Sequence, residues 1–311
     1  HFYGVELNAD AEVLPLMGSK EGIMHLCMTY VNPGDAVLVP DPGYPTYRAA
    51  ATLAGGEPVS YTLHEEANWL IDLHQLELTV SNIRSKGQQV QLLFVNYPHM
   101  PTGAAGSKSF FSQLVSFAKR NQLLICHDNP YSFILNKEPA SLLAVPSAKD
   151  CVVELNSLSK SHNMAGWRVG VLCGSEQRIN EVLRFKSNMD SGMFKPLQLA
   201  AAAALSLGGD WYHSINEIYA TRRAVVHRLL DDLGCRYSLH QVGMFVWAKV
   251  PQQYQSGYEL SDELLYHHNL FLTPGGIFGS AGNNYIRVSL CSPESVLKEA
   301  LGRVQTKKEK I

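Results

Sequence analysis

Short, unbroken runs of apolar residues recur through the first 190 residues, and a stretch with helical spacing follows most of them. The runs lie at 13–17, 36–39, 59–63, 90–96, 123–126, 152–155 and 167–173. The helical patterns lie at 19–30, 44–54, 70–85 and 107–121. A strand that is apolar on both faces has no side for water, so it must sit in a sheet covered by helices on both sides. The alternation therefore predicts an α/β architecture with a mainly parallel sheet. The punctuation agrees. Asn32-Pro33-Gly34-Asp35 is a turn signal, Pro40 reads as the end of a strand, Gly55-Gly56 as a helix stop, and Ser107 as a helix cap. In such sheets ligands bind beyond the carboxyl ends of the strands, so chemistry is expected there.

The texture changes at about Trp211. One long amphipathic helix (211–233) is followed by two short strands broken at Gly243, a helix (260–268), strands at 270–273 and 285–290, and a closing helix (293–304). This reads as a smaller α+β module. The predicted division is a large domain over 13–210, a small C-terminal domain over 211–311, and a remnant of an N-terminal segment over 1–12. The tail Lys307-Lys308-Glu309-Lys310 reads as solvated and frayed. The formal net charge of −2 gives no general attraction to nucleic acid or to an anionic membrane. The longest apolar stretch, 197–207, is half the length of a membrane helix and Ala-rich, which suits a packed core helix. Six cysteines occur with no CxxC spacing, the nearest two being Cys151 and Cys173. They read as free thiols of a reducing cytoplasm. His99 and the pair His267-His268 have no carboxylate or thiol at a usable ligand spacing, so no metal site is expected.

Residue types that carry chemistry cluster just after the apolar runs. Ser157-Leu158-Ser159-Lys160 follows one, and Gly166-Trp167-Arg168-Val169-Gly170 comes soon after. A lysine in a serine-rich turn, with an arginine and close-approach glycines, suits a bound phosphate and a reactive amine. His127-Asp128-Asn129-Pro130-Tyr131 follows the run at 123–126, and Asn96-Tyr97-Pro98-His99-Met100-Pro101-Thr102-Gly103 closes the run at 90–96. Gly18-Ser19-Lys20 opens a helix, where backbone N–H groups and the helix dipole favour an anion. Far downstream, Pro274-Gly275-Gly276-Ile277-Phe278-Gly279 precedes Tyr285-Ile286-Arg287.

In this order and spacing the motifs resemble the class I/II aminotransferase family over nearly the whole chain, from Val13 to Val304. The resemblance implies the fold-type-I architecture, a seven-stranded-type sheet sandwiched by helices plus a smaller domain. It also implies pyridoxal 5′-phosphate as cofactor, a homodimer, and amino-group transfer from an amino acid to a 2-oxo acid by a ping-pong route through the pyridoxamine form. By that resemblance Lys160 is the Schiff-base lysine, Asp128 pairs with the pyridine nitrogen, Tyr131 hydrogen-bonds the ring's phenolic oxygen, and Tyr44 stacks on the ring. Ser19, Lys20, Ser157, Ser159 and Arg168 would hold the phosphate, and Arg287 would fork onto the substrate carboxylate. The segment Lys186 to Phe194, with Asp128-Asn129-Pro130-Tyr131, leans towards the subgroup of LL-diaminopimelate aminotransferases and their relatives, with aspartate-, alanine- and aromatic-type substrates left open. Other outcomes on the same fold are a carbon–sulfur lyase or a weakly active ligand sensor. One departure stands out: where the family has N-P-T-G, this chain has Met100-Pro101-Thr102-Gly103. A thioether cannot replace the amide's hydrogen bond, and His99 or Asn96 is the expected substitute. The resemblance starts just before the phosphate motif, so a further N-terminal portion is expected by analogy with relatives.

Overall fold

The computed structural model describes residues 1–308. In the first half, strands β1 (Val13–Leu16), β2 (Ala36–Asp41), β3 (Glu57–Thr62), β4 (Val90–Val95), β5 (Leu124–Asp128), β6 (Val152–Ser157) and β7 (Gly170–Cys173) alternate with helices. The helices are α1 (Ser19–Tyr30), α2 (Pro45–Leu53), α3 (Leu73–Ser85), α4 (Lys108–Arg120), the single turn α5 (Leu158–Ser161) and α6 (Glu176–Lys186). The strands form one seven-stranded sheet in the order β1-β7-β6-β5-β4-β2-β3. β3, β2, β4, β5 and β6 run parallel, as the apolar runs predict.

Each central strand feeds two cores by the two-residue alternation of its side chains. Leu93 and Val95 of β4 and Ile125 of β5 pack with α3 and α4, among them Leu76, Val80, Phe111 and Leu114. Leu92 and Phe94 of β4 and Cys126 of β5 pack on the opposite face with Ile23 and Leu26 of α1 and Ile179 and Val182 of α6. The same alternation places Asp128 on the α1–α2 side of β5 and His127 on the α3–α4 side.

β7 is the exception, antiparallel to both β6 and β1. Its connection from β6 holds only α5 and one 3-10 turn (Ala165–Trp167), too little chain for a helical crossover. The reversal brings the start of β7, rather than its end, to the carboxyl edge of the sheet.

The second half holds α7 (Lys195–Leu205), α8 (Gly209–Asp232), α9 (Gly257–His268) and α10 (Glu294–Lys308) with β8 (Arg236–Tyr237), β9 (Phe245–Lys249), β10 (Thr273–Pro274) and β11 (Tyr285–Ser289). The four strands form an antiparallel sheet in the order β10-β11-β9-β8. Its core joins Val226 and Leu230 of α8 to Val246, Ile286, Leu264 and Leu301. No helix among the described residues is long and apolar enough to cross a membrane.

Several predicted boundaries move. β2 continues through Pro40, whose missing N–H is tolerated because the pairing to β4 already stops at Leu38. The helix expected from residue 70 starts at Leu73, because the Asp72 carboxylate accepts from the N–H groups of His74 and Gln75. The strand expected over 167–173 begins only at Gly170, since Arg168 sits at φ 56° and turns the chain. The strand expected over 270–273 shrinks to Thr273–Pro274, as Leu270 N–H still caps α9 by donating to Leu264 O. Of the tail read as frayed, Glu309 and Lys310 lie outside the described residues, and α10 runs to Lys308.

Gly170 closes the sheet against the start of α1. A Cβ there would lie 2.7 Å from Ser19 N, 2.9 Å from Asn156 O and 2.9 Å from Gly18 C, all backbone atoms that cannot swing away. Gly170→Ala is expected to cost about 1–3 kcal/mol through this overpacking, read as a lowered denaturant midpoint, whereas Gly166→Ala, which meets nothing within 4 Å, is expected to leave it near its native value.

Candidate active site

Five strand ends meet at one edge of the large sheet and enclose a cavity of about 600 Å³. All ten site residues expected from sequence line it: Ser19, Lys20, Tyr44, Asp128, Tyr131, Ser157, Ser159, Lys160, Arg168 and Arg287. Ser19 and Lys20 start α1, beyond β1. Tyr44 caps α2, beyond β2. Asp128 ends β5, and Tyr131 follows it. Ser157 ends β6, and Ser159 and Lys160 lie in α5. Arg168 reaches the same edge because β7 is reversed. Arg287 comes across from β11 of the smaller sheet.

The end of the cavity around Arg168 has the chemistry of an anion site. α1 is twelve residues long and has no side-chain cap, so its leading N–H groups are free to face an anion. Arg168 donates to Ser159 Oγ (3.5 Å), Ala165 O (3.0 Å) and Met17 O (3.3 Å), which stretches the guanidinium over Gly18. A Cβ on Gly18, at φ 83°, would fall 2.2 Å from Arg168 Nη2, so only glycine permits this crossing. Ser157 Oγ accepts from Ser159 N–H at 3.2 Å, which turns the serine-rich loop towards the same point.

The opposite character appears at Asp128, which is 4% exposed. Its Oδ2 accepts a 2.7 Å hydrogen bond from the Tyr47 hydroxyl, while its Oδ1 has no partner among the described residues. Burial pushes its pKa up to about 6, against the lowering effects of the Tyr47 bond and of His127. A buried carboxylate oxygen lacking a donor is what a protonated ring nitrogen satisfies. Together with the anion site, the lysine amine and Tyr44, the residues fit pyridoxal phosphate.

Arg287 is set among apolar neighbours. Its guanidinium lies 4.1 Å from the Phe245 ring centre and 4.7 Å from that of Phe278. Nη1 touches Met100 Sδ at 3.4 Å, and Nε has no partner. No carboxylate among the described residues pairs with it. Such a guanidinium is poised for an incoming carboxylate.

Sequence reading missed Tyr47 and Phe245, both in the cavity wall. Tyr47 is three residues after Tyr44, so a helical turn puts both rings on one side. That spacing was a usable signal. Of the two expected substitutes for the missing asparagine, Asn96 lines the cavity and His99 does not. His99 points away, its Nδ1 2.8 Å from Thr102 Oγ1. Asn96 Nδ2 donates one hydrogen to Asp128 O and its Oδ1 accepts from Met100 N–H, which leaves the second Nδ2 hydrogen for a further partner. Tyr97-Pro98 and Met100-Pro101 are both cis, as is Asp41-Pro42.

Comparison with known proteins gives one pattern. The family model described as aminotransferase class I and II matches residues 1–304. The LL-diaminopimelate aminotransferase of Halothermothrix orenii is 41% identical over 305 residues, 97% of this chain and 77% of the relative. The enzyme of the same name from Aquifex aeolicus is 38% identical, covering 98% and 78%. Among solved structures, BacF from Bacillus subtilis superposes with a TM-score of 0.91 at 36% identity, covering 98% of this chain and 77% of that one.

With a pKa near 6, Asp128 is protonated below that pH in the protein without cofactor, and pairing with a positive ring nitrogen requires the proton to leave. Affinity for pyridoxal phosphate is therefore expected to gain from Asp128 as pH rises from 5 to 7. Spectral titrations should show this gain in the native chain and not in Asp128→Asn. Parallel pH profiles for the two proteins would exclude it.

Proposed function

The chain belongs to the class I and II aminotransferases, and we propose that it moves the amino group of a dicarboxylic amino acid such as LL-diaminopimelate to a 2-oxo acid. The enzyme is a pyridoxal-phosphate-dependent transaminase. The observation that carries the reading is the convergence of an amine, a buried carboxylate, an anion site and an unpaired arginine on one cavity. When bound, the cofactor supplies an electron sink for the substrate's α-carbon.

The chain's own residues supply the rest. Lys160 is proposed to hold the cofactor covalently and then, as a free amine, to carry the proton taken from the α-carbon. Asp128 keeps a positive charge on the ring nitrogen, and Tyr131 donates to the ring's phenolic oxygen. Tyr131 is held as the phenol by burial, which pushes its pKa well up. Tyr44 packs on the ring. Ser19, Lys20, Ser157, Ser159 and Arg168 bind the phosphate, which fixes the ring against Lys160. Arg287 binds the α-carboxylate in a two-point fork and so aims the α-hydrogen. The choice of LL-diaminopimelate rests on the named relatives and the 186–194 segment.

We also propose a homodimer acting in the cytoplasm, and a division into a cofactor-binding unit (13–210) and a smaller unit (211–311). Beside Arg168, a cleft is lined by Met17, Trp167, Met193, Phe194 and Leu197. Trp167 is 50% and Phe194 69% exposed, and α7 buries only Ala201. An apolar face of this kind at the rim of the active site suits a second copy of the chain.

Three measurements test these readings. Borohydride is expected to fix the cofactor to the native chain and not to Lys160→Ala. LL-diaminopimelate alone is expected to convert the bound cofactor's visible band to that of the aminated form, reversed by a 2-oxo acid. Release of ammonia without an acceptor would instead indicate a lyase. Light scattering is expected to give twice the chain mass, and Phe194→Glu to lower it. A fully active monomer would overturn the dimer.

A further inference from the structure

The face of the sheet opposite the cavity holds a charged network that the chemistry above does not use. His127, fully buried, lies back to back with Asp128 on β5. Its Nδ1 is 2.9 Å from Glu154 Oε2 and its Nε2 2.8 Å from Tyr97 O. A carboxylate and a carbonyl are both acceptors, so both bonds form only when both ring nitrogens carry hydrogen. Glu154, 1% exposed, is fully used. Its Oε2 also accepts from Ser141 Oγ (2.5 Å), and its Oε1 accepts from Asn156 Nδ2 (2.8 Å) and Asn129 Nδ2 (3.2 Å).

We propose that His127 and Glu154 form a buried ion pair that positions the cofactor site, holding Asp128 in its ionised form and fixing three strand ends around the ring. The proposal rests on the reading of Asp128 as the carboxylate that faces the cofactor. The network ties His127 of β5 and Asn129 just beyond it to β6 (Glu154, Asn156) and to the loop after β4 (Tyr97). Those segments also carry Asp128, Ser157 to Lys160, and Asn96 to Met100. A buried pair of this kind is poor value as mere glue, because taking two charges out of water offsets most of their attraction. A positive charge directly behind a carboxylate that must stay ionised gives it a use.

The electrostatics agree. Burial raises the Asp128 pKa, and Tyr47 and then His127 lower it. Burial also works against ionised Glu154, yet the His127 charge and the donors around it hold its pKa below the usual range. The other groups near Asp128 are Tyr47 from α2, Tyr131 beyond β5, Cys126 on β5 and Lys160 after β6. Burial holds both tyrosines and Cys126 well above their usual values. Near Glu154, Cys173 of β7 is pushed up to about 12, and Tyr3 is raised as well. None of these tyrosines and thiols titrates between pH 5 and 8.

The test uses the full chain, stripped of and reloaded with pyridoxal phosphate. His127→Asn leaves Glu154 unpaired and risks the fold, so the informative variant is the neutral pair His127→Asn with Glu154→Gln. Its thermal midpoint without cofactor is expected near native. Its pyridoxal phosphate affinity is expected to fall roughly tenfold at pH 6, with the pH midpoint of binding moved up. kcat should drop while KM for the amino acid holds, since Arg287 is untouched. Glu154→Asp, which keeps the charge, is expected to retain the native pH midpoint and so rescue the charged state. Native affinity and pH midpoint in the neutral pair would overturn the proposal, as would affinity lost only in step with the thermal midpoint. Asp128→Asn separates the two readings. If it too binds with native affinity and pH dependence, the assignment of Asp128 fails and the pair's role with it. If Asp128→Asn shifts both while the neutral pair shifts neither, only the pair's role fails.

Discussion

A carboxylate buried in a sheet without a cation touching it is a cost, and Asp128 is that carboxylate. Raising its pKa from 3.8 to about 6 corresponds to a penalty on the order of 3 kcal/mol on the folded, cofactor-free protein near neutral pH. The sign follows from linkage. A raised carboxyl pKa favours the protonated folded state, so this group's contribution worsens as pH rises from 4 to 6 and then levels. A folded chain accepts such a cost where a bound partner repays it, and a positively charged ring nitrogen is such a partner. The surroundings limit the cost without removing it: Tyr47 satisfies one oxygen and the other stays open to the cavity.

The geometry that presents this carboxylate depends on the reversed strand β7. If all the strands ran one way, Arg168 would emerge at the far edge of the sheet. Because β7 returns directly from β6, its first residues sit beside the start of α1, close enough that Gly18 and Gly170 have no room for a side chain. Tight packing there draws three contributors to one point: the N–H groups of α1, the serine hydroxyls after β6 and the Arg168 guanidinium. Each comes from a different segment of chain. An anion bound there would fasten them together, so its binding would stabilise this corner.

Most of this was legible in the sequence, for a specific reason. Residues at strand ends in an α/β sheet are forced to converge, so order along the chain translates into proximity in space. Lys160, Asp128 and Arg168 could be read that way. Boundaries decided by single side chains were less legible. Asp72 moves the start of α3 by capping it, and Arg168 shortens β7 by adopting a left-handed backbone. In the sequence His127 is only the residue before Asp128. Its significance depends on Glu154 across β6 and on Tyr97 beyond β4, neighbours that register alone supplies. The bond from Asn96 Nδ2 to Asp128 O was hidden for the same reason, since the two come near only after β4 and β5 pair.

Met100 shows how a departure from the family pattern can be absorbed. An amide at this position offers a strong acceptor as well as a donor, and a neighbouring guanidinium would engage it. A thioether is a weak acceptor. Arg287 therefore meets one soft contact at Met100 and two aromatic faces, with Nε left unpartnered. Burial lowers its pKa, and Tyr131 and Cys291 offset this only in part. The position of this group is nevertheless well defined, because the loop bearing Phe278 is anchored to the large sheet. Gly43 N–H donates to Phe278 O at 2.7 Å, and Asp41 accepts from Ser280 Oγ and Ala281 N–H. Tyr44, the proposed ring-stacking residue, follows Gly43 directly. These contacts together tie the segment that bears Tyr44 to the one that bears Phe278, which packs on Arg287. The thioether at position 100 thus leaves the Arg287 guanidinium without a strong acceptor at that contact, which is the state that suits the carboxylate partner proposed for it.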